Sequence, residues 1–146
     1  MEIRKATQED FEELISLLKE AFPVHVVFTR SDKEILEYLE NFEGEGLLAV
    51  EDDKIIGGLG ISRKQYGHIV AFFKHIFAKD NDKEVIKALV KEAEKIADAA
   101  KIELHIAEGE KIDHTFYEEL GYEVEGKLKS HYRQGEICYI LGKEVQ

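Results

Sequence analysis

Residues 77–89, FAKDNDKEVIKAL, leave an apolar stretch, cross a knot of charges and enter helical spacing. A strand that feeds a helix presents unpaired backbone N–H groups where the helix dipole also favours negative charge, so the chemistry this junction offers is anion binding. No glycine opens it to a close backbone approach, and Asp80, Asp82 and Glu84 put acids where an anion would rest. Lys79, Lys83 and Lys87 carry the opposing charge. NDKE, Asn81 to Glu84, also has capping-box spacing: Asn81 would accept from an amide of the first turn while Glu84 reaches back. On that reading the helix satisfies its own donors and leaves fewer for a ligand.

Other reactive residue types are sparse. His25, His68, His75, His105, His114 and His131 show no H-E-x-x-H or paired-cysteine spacing, so no metal site is indicated. Cys138 is the single cysteine and sits in an apolar strand, which marks it as core rather than as a reactive thiol. It cannot form an internal disulfide, which fits a reducing cytoplasm. Gly57, Gly58 and Gly60 resemble an anion loop in type, but inside a strand they point to a bulge or a close backbone approach.

Composition bounds the partners. Thirty-one acids against 20 Lys plus Arg give a net charge of -11, which opposes nucleic-acid and anionic membrane surfaces and favours a cationic amine. The charged fraction of 35% with few amides or sulfur residues is thermophile-like. MEIRKATQED lacks the apolar segment of a leader, and no apolar run approaches the roughly 20 residues of a membrane span. One domain over residues 1–146 is expected, since nothing marks a linker.

The elements that position these residues follow from periodicity. A strand at Met1–Ala6 precedes a helix capped at Thr7, with Phe11, Leu14, Ile15, Leu18, Ala21 and Phe22 in register until Pro23. SDKE, Ser31 to Glu34, starts a second helix. Strands at 47–51 and 55–62 flank the turn Asp52-Asp53-Lys54, and 68–78 reads as a strand covered on both faces. Val85, Ile86, Leu89, Val90, Ala93, Ile96 and Ala97 predict a helix over 81–100, followed by a strand at 101–107 in a right-handed parallel crossover. A short helix over 113–120 ends at Gly121, and two final strands flank Gln134-Gly135.

FYEELGYEVEG, Phe116 to Gly126, resembles the last motif block of the GNAT N-acetyltransferase superfamily, and the whole chain can be laid on that element order. The resemblance implies an α/β (α+β) fold with a mixed, mostly antiparallel sheet of about six to seven strands flanked by about four helices. It implies acetyl transfer from acetyl-CoA (coenzyme A) to an amine, on a small molecule or a peptide, with a homodimer common for the architecture. In that family the cofactor lies where the fourth and fifth strands part, and its pyrophosphate rests on the loop before the long helix. The matching positions here are Ile76, Ala78, Asn81, Asp82, Lys83, Glu84, Val85 and Ile86. The family loop carries Gln or Arg where Asn81 stands, and small residues at Glu84 and Ile86. Glu110 and Asp113 replace a family Asn and Ala.

Tyr117 matches the family tyrosine that protonates the departing thiolate, a task suited to a phenol. The attacking amine also needs a base, for which His75, His105 and Glu103 are options. Phe28, Arg30, Tyr66, Glu43 and Glu45 lie on segments that would line the acceptor side, and Tyr122 reads as core. The alternative is a GNAT-fold binding module that has lost acetyl-CoA binding and catalysis, its acids at Asp82, Glu84 and Glu110 being the motive.

Overall fold

The computed structural model describes residues 1–145. Its elements are β1 (Glu2–Lys5), α1 (Phe11–Ala21), α2 (Asp32–Glu40), β2 (Glu45–Glu51), β3 (Lys54–Gln65), β4 (Ile69–Ala78), α3 (Lys83–Ile96), β5 (Lys101–Ala107), α4 (His114–Glu119), β6 (Glu123–Lys129) and β7 (Ile137–Glu144). The strands form one seven-stranded sheet in the order β1-β2-β3-β4-β5-β7-β6. It is mostly antiparallel, with β4 and β5 parallel from Val70↔Lys101 to Phe73↔Leu104. Among the described residues no helix is long and apolar enough to cross a membrane. The chain divides into two compact units, one of Met1–Gly60 with His75–Glu92, the other of Ile61–Lys74 with Ala93 onward.

In the first unit β1 pairs antiparallel with β2, and Leu14, Ile15, Leu18, Phe28, Ile35, Leu48, Ile55 and Phe77 make the core. The spacing of Leu14, Ile15 and Leu18 puts them on one face of α1, which is why that helix packs rather than floats. Thr7 caps the helical run as expected, but that run opens as a 3-10 turn before α1 begins. Asp10 accepts from the Thr7 N–H at 2.7 Å, and a 3-10 turn over Gln8–Asp10 precedes the first α-helical residue. At α2 the expected Ser31 cap forms, with Glu34 meeting its hydroxyl rather than its backbone N–H: Ser31 Oγ accepts from the Glu34 N–H at 3.2 Å and donates to the Glu34 carboxylate at 3.0 Å. Asp52 and Asp53, both at positive φ, close the tight β2–β3 turn. Gly57 and Gly58 mark a close approach, since a Cβ there would lie 2.8 Å from Val85 Cγ1 and 2.7 Å from the Phe77 ring respectively. Either contact would force the sheet or its neighbour to shift.

In the second unit β5 alternates strictly. Ile102, Leu104 and Ile106 are buried, while Glu103 and His105 occupy the opposite, half-buried face. β7 pairs with β5 across its whole length and with β6 on the other side. Tyr122 is core as expected, and its hydroxyl donates to Glu94 at 2.7 Å. Asp113 caps α4 by accepting from the Thr115 N–H, and Gly121 at φ 99 ends it. Two expectations need correction. α3 stops at Ile96 rather than continuing to residue 100, because Asp98 turns left-handed at φ 49. The β6–β7 connection is also longer than a Gln134-Gly135 turn, being closed by the Ser130 N–H donating to the Glu136 carbonyl at 2.9 Å.

Candidate functional site

The β4–α3 junction lies within the first unit. After Ala78 the chain makes a 3-10 turn in which Asp80 and Asn81 both take left-handed conformations, φ 56 and 52. That conformation removes Asn81 from the extended geometry an N-cap requires. The cap is Asp82 instead, at φ -65 and ψ 107: its Oδ1 accepts from the Glu84 N–H at 3.0 Å and the Val85 N–H at 3.4 Å. The expected Asn81–Glu84 box is thus displaced by one residue. The Ile86 N–H donates to the Asp82 carbonyl, and the Val85 and Ile86 side chains are buried, so neither offers a side chain to a ligand. Asn81, Asp82, Lys83 and Glu84 are exposed, Ile76 and Ala78 half-buried on β4.

This arrangement tests the fit of a pyrophosphate directly. The first-turn amides do face an anion, and the Asp82 carboxylate stands in for it. A diphosphate would have to displace that carboxylate, at about 1 kcal/mol for a lost cap. The junction fits the group, with its own side chain as competitor.

The first unit also holds a ring cluster that the sequence reading did not assemble. His75 sits at φ 54 within β4, a strained conformation for a non-glycine residue. Its Nε2 is 2.7 Å from the Tyr38 hydroxyl. Phe28, His25, Tyr38, Phe22 and Phe42 surround it with ring centroids 5.0 to 6.5 Å away. Burial pushes the Tyr38 phenol above its ordinary range. The density of aromatic residues between Phe22 and Phe42 was the available signal.

The second unit carries Tyr117. It is only 2% exposed, and burial, with the Glu110 charge adding to it, raises its phenol well above the ordinary range. At neutral pH it therefore holds its proton and can only act as a donor. Glu110 accepts from the Ala107 N–H at 2.7 Å, so the acid standing at the family Asn position is tied to the end of β5. His105 and Glu103, separate options in the sequence, are joined: His105 Nε2 lies 3.0 Å from the Glu103 carboxylate. His105 Nδ1 lies 2.6 Å from the hydroxyl of Tyr132, a residue the sequence reading passed over. Partial desolvation, then the charges of Cys138 and Glu103, hold the Tyr132 phenol up. Cys138 is buried and its thiol raised, in keeping with an inert core position.

No curated protein matches the sequence. Among solved structures, an aminoglycoside 6'-acetyltransferase type Ii superposes with TM-score 0.82 at 22% identity, covering 100% of this chain and 98% of that one. An aminoglycoside 6'-N-acetyltransferase complexed with coenzyme A gives 0.78 at 19%, covering 100% and 98%. The PaiA N-acetyltransferase of Thermoplasma acidophilum, in complex with coenzyme A, gives 0.73 at 22%, covering 98% of each. At these identities the likeness establishes the fold. The acetyltransferase (GNAT) domain model matches residues 3–139, and with that match over nearly the whole length the chain belongs to the GNAT acetyltransferase family.

Proposed function

We propose that the protein transfers an acetyl group from acetyl-CoA to the amine of a small cationic acceptor. The observation that carries this reading is Tyr117: the family block FYEELGY is intact, and the phenol it places is buried, protonated and next to a charge that keeps it so. The span of the family match supports treating the chain as one GNAT-like domain. The aminoglycoside acetyltransferases among its structural neighbours support a small-molecule amine, and the net charge of -11 favours a cation.

Bound acetyl-CoA supplies the thioester carbonyl that the amine attacks. The backbone of Ile76 and Ala78 and the amides of Lys83, Glu84 and Val85 would hold it, with Asp82 swung aside. Tyr117 provides the proton that the departing sulfur needs. Binding both partners together turns a bimolecular reaction into a local one, which alone supplies much of the acceleration.

The test is a melting curve with and without acetyl-CoA, followed by an assay over a panel of primary amines. A ligand at 100 times its dissociation constant adds about 2.7 kcal/mol, so a clear rise in Tm is expected at millimolar acetyl-CoA. An unchanged curve would favour the second reading, a GNAT-fold module whose cofactor loop is closed by its own Asp82 carboxylate.

A further inference from the structure

We propose that Glu103, His105 and Tyr132 form a relay that takes the proton from the acceptor ammonium; the inference rests on the acetyltransferase reading above. Glu103 and His105 alternate on one face of β5, and the β6–β7 loop lays Tyr132 against them. With a neutral imidazole, one tautomer satisfies both contacts. His105 Nε2–H donates to the Glu103 carboxylate, and the Nδ1 lone pair accepts from the Tyr132 O–H. The Tyr132 oxygen then keeps its remaining lone pair, on a residue that is 59% exposed.

Stability does not explain the arrangement. Exposed polar contacts of this kind contribute little to folding, and the Tyr132 ring buries little surface. Connection outward does explain it. Glu110 accepts from the Ala107 N–H at 2.7 Å, two residues along β5 from His105, and its charge adds to the burial that raises the Tyr117 phenol, so the relay and the carboxylate that bears on Tyr117 share one end of β5.

The ammonium R–NH3+ gives a proton to the Tyr132 oxygen as the phenol's own proton passes to His105 Nδ1, leaving R–NH2, an intact phenol and an imidazolium beside the Glu103 carboxylate. The free amine forms the C–N bond as the C–S bond breaks. Its second proton leaves to solvent while Tyr117 protonates the sulfur and is refilled from solvent. The imidazolium returns its proton to solvent, so the net products are the amide, the thiol and one H+. The groups that bear on the His105 charge are Glu103 on its own strand, Lys74 one step past the Phe73↔Leu104 pair on β4, Cys138 opposite Ala107 on β7, and Tyr132 with His131 in the β6–β7 loop.

The experiment compares two acceptor panels with the full chain and acetyl-CoA: primary alkylamines, protonated at assay pH, and hydrazides, neutral there. His105→Gln is expected to lower kcat/KM for alkylamines by about 100-fold, the lower end for a lost proton-transfer group. For hydrazides the loss should stay within about threefold, because no proton need be removed before attack. Tyr132→Phe, which keeps the ring and removes only the O–H, should show the same split, and carries the test if the glutamine variant fails to fold. Equal losses for both panels, or none, would overturn the relay. A wild type that acetylates neither panel would instead overturn the acetyltransferase reading beneath it.

Discussion

Neighbouring strands β4 and β5 each hold a histidine paired with a tyrosine, His75 with Tyr38 at 2.7 Å and His105 with Tyr132 at 2.6 Å. The hydrogen bonds are alike; the surroundings are not. His75 is hemmed by aromatic rings, on a strained backbone, with a phenol that is half-buried. His105 stands between a carboxylate and an exposed phenol. An imidazole among rings gains packing, whereas one against a carboxylate can accept a proton and be stabilised afterwards. The same pair of residue types is thus packed among rings in the first unit and set against a carboxylate, half-exposed, in the second.

That contrast can be broken or sharpened in four ways, in falling order of effect. Tyr117→Phe should lower kcat about 100-fold while leaving the acetyl-CoA dissociation constant within about twofold, since only a proton donor is lost; steady-state kinetics with calorimetry decides it. His75→Ala should cost about 2 kcal/mol in urea unfolding through lost ring packing, against less than about 0.5 kcal/mol for His105→Ala. Equal losses would dissolve the distinction. Asp82→Ala should remove about 1 kcal/mol of cap yet tighten coenzyme A binding, because two amides are freed and one like charge is gone. Calorimetry showing weaker binding would mean that the Asp82 carboxylate does not compete for that seat.

The smallest effect lies at Arg4, whose guanidinium grips Asp10 at 2.8 and 2.9 Å. The Arg4 hydrogen bond, with help from Thr7, holds the Asp10 carboxyl at about 2. A carboxyl depressed on folding stabilises the native state above its ordinary range, and that contribution fades as pH falls toward 2. Arg4→Ala should therefore lower Tm slightly at neutral pH, by no more than an exposed pair contributes, and not at all at pH 2.

The element order was legible because it rests on periodicities that tertiary structure does not change. The apolar positions of α1 and α3, the Ser31 cap, the Asp52-Asp53 turn and the alternation of β5 all follow from local rules. The cap of α3 was misplaced by one residue because the left-handed turn at Asp80 and Asn81 is a property of how β4 ends, not of the NDKE spacing. Glu103 and His105 could be put on one face by counting. Their partner Tyr132 could not, since 27 residues separate it from His105 and only the fold of the β6–β7 loop brings it back. The ring cluster at His75 was hidden for the same reason, its members lying on a loop, a helix and a strand.

The single thiol, Cys138, is buried at 2% exposure on β7, opposite Ala107 of β5 and Leu128 of β6. An alkylating reagent reaches it only when that part of the sheet opens, so the native chain already contains a stopwatch for its own opening. Labelling speed with maleimide, read with and without an amine present, would report how often the strands around Cys138 part, with no probe engineered in.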